Sequence, residues 1–138
     1  MAKKLNLIPD EEFSLLGIIA RVPDFKLLFE VNDTLGTDFK RKEDLEIQPL
    51  KQTEFSMFSI YTDVEDENER IPYIIANRGT AGLLVPEHKI MDYFLVMKGN
   101  YSSEEIQEWI DRLRAVRNIQ GVYEIPLKKL KSRQNLIF

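Results

Sequence analysis

The sequence predicts an α+β domain: a mixed β-sheet with two helices packed on one face, a ferredoxin-like type of sandwich with an inserted hairpin. Three observations predict it. Strand–helix–strand patterning occurs twice, from Phe13 to Ile47 and from Tyr93 to Ile125. Between these runs, Phe55 to Thr62 and Ile71 to Asn77 read as a hairpin with an acidic tip. Each helical stretch has an apolar stripe on one side only, which must be buried against a sheet. A strand–helix–strand connection with a short loop implies a parallel, right-handed crossover.

Each element has a local justification. Leu5 to Ile8 reads as a short strand ended by Pro9. Phe13 to Arg21 is an apolar run with β-branched Ile18 and Ile19, suited to a central strand. Pro23 and Asp24 then open a helix over 24–35, since Pro fits the first turn and Asp complements the dipole there. Phe25, Leu28, Phe29 and Leu35 form its stripe, Leu27 and Val31 widen it, and Asn32 sits within it as a satisfied amide. Gly36 is placed to end the helix.

Asp44 to Ile47 is a short strand. In Phe55 to Thr62, Phe55, Met57, Ser59 and Tyr61 face one way, and Ser56, Phe58, Ile60 and Thr62 the other. Asp63, Glu65, Asp66, Glu67 and Glu69 make a solvated tip. Ile71 to Asn77 is a strand whose Pro72 favours its start or an edge. Arg78 to Gly82 is a turn, with an anion-binding nest as the other reading, and His88 to Lys98 is strand-like throughout. Ser102 and Glu105 have capping-box spacing at the head of the second helix. Its stripe is Ile106, Trp109, Ile110, Leu113 and Val116, and Glu108 precedes Arg112 by one helical pair spacing. Gly121 follows, then a last strand from Val122 to Pro126. Residues 127–138 alternate basic and apolar side chains and are expected to dock on a single domain spanning 1–138.

Composition narrows the chemistry. The chain has 138 residues, 43% apolar and 30% charged, enough to bury a core without a staple. It has no Cys, which removes disulfides, Cys-ligated metals and a Cys nucleophile. His88 is the sole His, so a two-His metal site cannot be built within one chain. No metal or other cofactor is expected. A net charge of −4 argues against a whole-surface nucleic-acid binder. The apolar stretch near the N-terminus is too short for a signal peptide, and no run suits a membrane helix. A cytoplasmic address is expected.

Val85-Pro86-Glu87-His88-Lys89-Ile90-Met91-Asp92-Tyr93 resembles the signature of the bacterial IPExxxVDY family. Val85 stands for the family Ile and Met91 for its Val; Pro86, Glu87, Asp92 and Tyr93 match outright. The run Tyr93 to Gly99, the tail segments Leu130-Lys131-Ser132 and Asn135 to Phe138, and Pro23 to Asn32 are also similar. The family is uncharacterised, so the resemblance implies a shared domain and brings no catalytic residue.

Glu87 and Asp92 are the candidate site residues. As a pair they would suit acid–base work or a cation; alternatively, Glu87 anchors a loop and Asp92 makes a strand-end ion pair. Arg21, Arg78 and Lys98 are candidate partners for Asp92. Lys128, Lys129, Lys131 and Arg133 form a basic tail that could touch RNA or an acidic partner. With one His and no complete catalytic set, the expected function is a non-enzymatic protein-interaction or adaptor module. Its partner would be a protein, a second copy of the chain included. The alternatives are a small enzyme or metal-binding protein using Glu87 and Asp92, and an RNA-associated protein using the tail.

Overall fold

The computed structural model describes residues 13–48, 53–64 and 70–138. The strand expected at Leu5 to Ile8 and the tip from Glu65 to Glu69 lie outside them. In chain order the elements are β1 (Phe13–Ile19), α1 (Asp24–Leu35), β2 (Lys40–Arg41), β3 (Leu45–Ile47), β4 (Ser56–Phe58), β5 (Ile60–Thr62), β6 (Ile71–Ala76), β7 (Tyr93–Lys98), α2 (Ser103–Arg114) and β8 (Gly121–Glu124). Two short 3₁₀ turns, Pro86–His88 and Arg133–Leu136, complete the list.

The main sheet runs β2-β5-β6-β7-β1-β8, and every pairing within it is antiparallel. The inner order β8-β1-β7-β6, with helices after β1 and β7, is that of a ferredoxin-like domain. The parallel relation expected of a strand–helix–strand unit is present, but with a strand inserted between its members. β7 and β8 run parallel with β1 between them, and β1 and β6 with β7 between them.

The first unit therefore closes on β6, not on 44–47. β3 pairs instead with β4 in a separate two-stranded sheet. The expected strand Phe55 to Thr62 changes partner at Ser59: β4 joins β3, and β5 joins β6.

Both helices cover one face of the main sheet. Leu16, Ile18, Ile74, Leu95, Met97 and Val122 meet Leu27, Leu28, Val31 and Leu35 of α1 and Ile106, Ile110 and Leu113 of α2. Each such side chain contributes roughly 1.5–3 kcal/mol when taken from water. The other face is covered by irregular chain. Leu84, Val85 and Met91 of the 77–92 loop, with Ile125, Leu130 and Leu136 of the tail, pack on Phe13, Leu15, Ile75, Phe94 and Val96. Gly17 lies on this second face. A Cβ there would come within 2.7 Å of Met91 Sδ and 2.9 Å of Ile125 Cδ1.

The helix ends follow local chemistry. Ser102 and Glu105 form the expected capping box, each side chain accepting from the other's amide. Gly36 closes α1 at φ +71°, donating to the Asn32 carbonyl. Asn32 is the satisfied amide expected: its Nδ2 donates to the Phe39 carbonyl, and its Oδ1 accepts from Phe39 N and Thr37 Oγ1. Arg112 donates to the Leu35 carbonyl at the end of α1 rather than reaching Glu108, so it ties the two helices together.

Phe25 and Phe29 depart from the predicted stripe. Both are 71% exposed. A helix turns about 100° per residue, and only one sector can face the sheet. Leu27, Leu28, Val31 and Leu35 fill that sector, so Phe25 and Phe29 point outward. Among the described residues, no helix is long and apolar enough to cross a membrane.

Candidate functional site

Asp92 lies at the junction of three strands. Its amide donates to Ile18 O at 2.9 Å, and its carbonyl accepts from Asn77 N at 3.0 Å. Its side chain is 7% exposed. Oδ2 accepts from the Ala20 amide at 2.9 Å and lies 3.6 Å from Arg21 Nε; Oδ1 accepts from Arg78 Nη1 at 2.8 Å. A carboxylate inside this apolar sheet is tolerable because its charge is paired and hydrogen-bonded. Two of the three predicted partners are therefore in place. The third, Lys98, lies at the far end of β7 with its Nζ 3.8 Å from the centroid of the Phe138 ring.

Asp92 forms the back of a cleft of about 520 Å³. Ala20, Arg21, Val22, Pro23 and Asp24 line one side, and Ser59, Ala76, Arg78 and Tyr93 complete it. The Arg21 and Arg78 side chains are 69% and 61% exposed, so their outer surfaces face water. Asp24, at the start of α1, accepts from its neighbour Phe25 N and from the Tyr61 hydroxyl. Burial, with the Asp24 carboxylate beside it, pushes Tyr61 up to about 12. Tyr93 is also raised, by burial first and by the Asp24 and Asp92 charges next, and its hydroxyl donates to the Val22 carbonyl.

Glu87 is not brought to this cleft. It sits in the 3₁₀ turn and accepts from Ser132 N at 2.9 Å and Ser132 Oγ at 2.6 Å. Burial works to raise its pKa, but the hydroxyl and amide bonds from Ser132 outweigh this, and the net shift is downward. Glu87 and Asp92 thus hold different segments and do not act as a carboxylate pair. Among the described residues, no three His, Asp or Glu side chains converge as metal ligands would.

The expected strand from His88 onward starts only at Tyr93, because its first residues bond elsewhere. Asn77 is the cause. It is fully buried; its Nδ2 donates to the carbonyls of His88 and Met91, and its Oδ1 accepts from Val85 N. Pro86 opens the intervening turn. Sequence reasoning missed Asn77. The one available signal was an amide directly after an apolar strand, next to a glycine turn.

The remaining motif residues share this scaffold: Val85 is bonded to Asn77, and Met91 fills the space above Gly17. The Arg78 to Gly82 turn is not an open nest. The amides of Gly79, Thr80 and Ala81 donate to Gly82 O, Met57 O and Ser56 Oγ.

The tail packs against the 77–92 loop. Ser132 grips Glu87, Asn135 Nδ2 donates to Leu84 O, and Leu130 and Leu136 are buried. Lys128, Lys129 and Lys131 point to water, and the Arg133 guanidinium lies 5.7 Å from the Phe13 ring centroid. None of these four lines the cleft, nor does His88. No family model matches the chain, and no curated protein or solved structure does so either.

Proposed function

We propose that the chain is a non-enzymatic protein-interaction module of the bacterial cytoplasm, with the Asp92 cleft as its recognition site. One observation carries this reading. Both oxygens of Asp92 are turned inward onto an amide and two guanidiniums, so the cleft presents arginine donors instead of a reactive acid. A general acid or base needs a free oxygen at the reacting group; those of Asp92 are engaged by Ala20 N and Arg78, and those of Glu87 by Ser132, outside the cleft. The likeness of 85–93 to the IPExxxVDY signature fits the same view, because Glu87, Asp92 and Tyr93 all act here as ties within the domain.

The test is affinity capture from native cytoplasm, comparing the wild-type chain with an Arg21→Gln/Arg78→Gln variant. Proteins enriched on the wild type and lost on the variant would support the module. Identical enrichment on both baits, or none on either, would remove the cleft from function.

A second reading rests on the outward presentation of Lys128, Lys129 and Lys131, which suits an RNA backbone. It requires salt-sensitive RNA binding that disappears when these lysines become glutamines.

A further inference from the structure

The cleft carries a statement about what it recognises, and that statement rests on the interaction-module reading. Its acceptors are already satisfied. Asp92 faces Ala20 N, Arg21 and Arg78, and Asp24 faces Phe25 N and the Tyr61 hydroxyl. The Tyr93 hydroxyl donates to Val22 O. The donors are not exhausted. Each guanidinium has five N–H groups in a fixed fork, and one nitrogen of each faces Asp92. The rest of each fork is largely in water, at 69% and 61% side-chain exposure for Arg21 and Arg78. The opening turn of the twelve-residue helix α1 borders the same space, its positive end already met by Asp24. Formal charges in the lining balance, Arg21 and Arg78 against Asp24 and Asp92, but both carboxylates are engaged within the fold, and the outer guanidinium edges face water, open to a further carboxylate.

Exposed apolar side chains follow the lining residues in the chain. Pro23 and Asp24 line the cleft, and Phe25 follows directly, 71% exposed. Phe29, equally exposed, stands on the same side of α1, about 6 Å further along the axis at 1.5 Å per residue. A small free anion would leave both rings bare. A polypeptide bearing acidic and apolar side chains in succession would cover rings and arginines together.

We infer that this end of the domain binds an acidic, aromatic-containing segment of a partner protein, its carboxylates on Arg21 and Arg78 and its apolar side chain on Phe25 and Phe29. Asp92 orients the Arg78 fork through its 2.8 Å hydrogen bond, and its charge draws Arg21, at 3.6 Å, to the same place.

The test is fluorescence anisotropy with a labelled peptide of sequence GDEFDEG, its uncharged counterpart GNQFNQG, and inorganic phosphate as competitor. The expected result is binding of the acidic peptide that weakens with salt, with the uncharged peptide at least roughly ten-fold weaker. Arg21→Gln/Arg78→Gln should reduce binding by a similar factor. Phe25→Ser/Phe29→Ser, at exposed positions that leave the fold intact, should reduce it several-fold and keep the test decisive if the arginine variant unfolds.

Equal affinity for the two peptides would overturn the inference. So would insensitivity to the phenylalanine pair. Phosphate binding without peptide binding would assign the arginines to a small anion instead. If the peptide fails while the arginine variant still loses a captured protein, the module stands and the acidic chemistry falls. If both experiments fail, the module falls too.

Discussion

Glu87 takes both the amide and the hydroxyl of Ser132, so a loop that leads into the central strand is clasped to a segment 45 residues further along the chain. This clasp, with Asn135 on the Leu84 carbonyl, holds the tail over the sheet face that has no helix. Replacing Glu87 with Gln keeps the size and weakens both bonds. Because Glu87 is largely exposed, the expected loss is only about 1 kcal/mol. Amide hydrogen exchange should rise in 127–138 and stay unchanged in α2.

The same carboxylate gives a pH dependence with a defined sign. Its pKa is lowered in the fold below the ordinary 4.5. The stabilisation is full above the unfolded value and is lost as pH falls through the depressed folded value. Denaturation midpoints of wild type and Glu87→Gln should therefore converge in acid and separate towards neutrality. A constant gap across that range would show that the charge of Glu87 contributes nothing.

Asp92→Ala should cost about 2 kcal/mol, chiefly by leaving the buried Ala20 amide without an acceptor. The two arginines are exposed enough to be hydrated, which limits the rest of the loss. Asp92→Asn retains an acceptor for Ala20 and should cost about half as much. Urea denaturation of the two variants checks the order.

Asn77 is a position of greater consequence. Asn77→Ala strands the Val85 amide and the Met91 carbonyl inside the protein and takes one of two donors from the His88 carbonyl, which keeps Met91 N, and about 3 kcal/mol is the expected loss. Asn77→Asp should be no better, since it sets a carboxylate against the carbonyls of His88 and Met91. A wild-type midpoint for either variant would mean that the 77–92 loop is not held by this side chain.

Two glycines should respond differently to the same added methyl. At Gly79 a Cβ would lie 2.8 Å from the Met57 carbonyl oxygen, which is backbone, and 2.3 Å from Ser56 Oγ. At Gly17 the nearest atoms are Met91 Sδ and Cγ and Ile125 Cδ1, all in side chains that can shift. Gly79→Ala should cost about 2–3 kcal/mol and Gly17→Ala about 1 kcal/mol. Thermal melts of the pair would decide the order.

What was legible in the sequence was what short-range chemistry decides. The Ser102–Glu105 box, the Gly36 stop and the 24–35 helix depend on neighbours within a turn or two. The stripe of α1 was harder because six apolar residues compete for a sector that seats four; Phe25 and Phe29 lose because the sheet meets Leu27, Leu28, Val31 and Leu35. Strand-like composition from His88 to Met91 was overridden by Asn77, whose bonds consume the backbone groups a ladder would need. Asp92 meets Arg21 and Arg78, two of the three partners expected for it. That its inward-facing oxygens leave the arginines as the exposed chemistry depends on the Ala20 amide, 72 residues away. Of the two readings of Glu87 and Asp92, the contacts are those of a loop anchor and a strand-end ion pair, because a tight turn between them directs each to a different segment.

The place of β1 has a further consequence for how the protein comes into being. Its two hydrogen-bonded neighbours are β7 and β8, drawn from residues 93–98 and 121–124. A nascent chain emerging from the ribosome would carry β1 with both edges unpaired until β7 is made, roughly eighty residues later, and with one edge open until β8 follows. The first of the described strands is thus among the last to be enclosed.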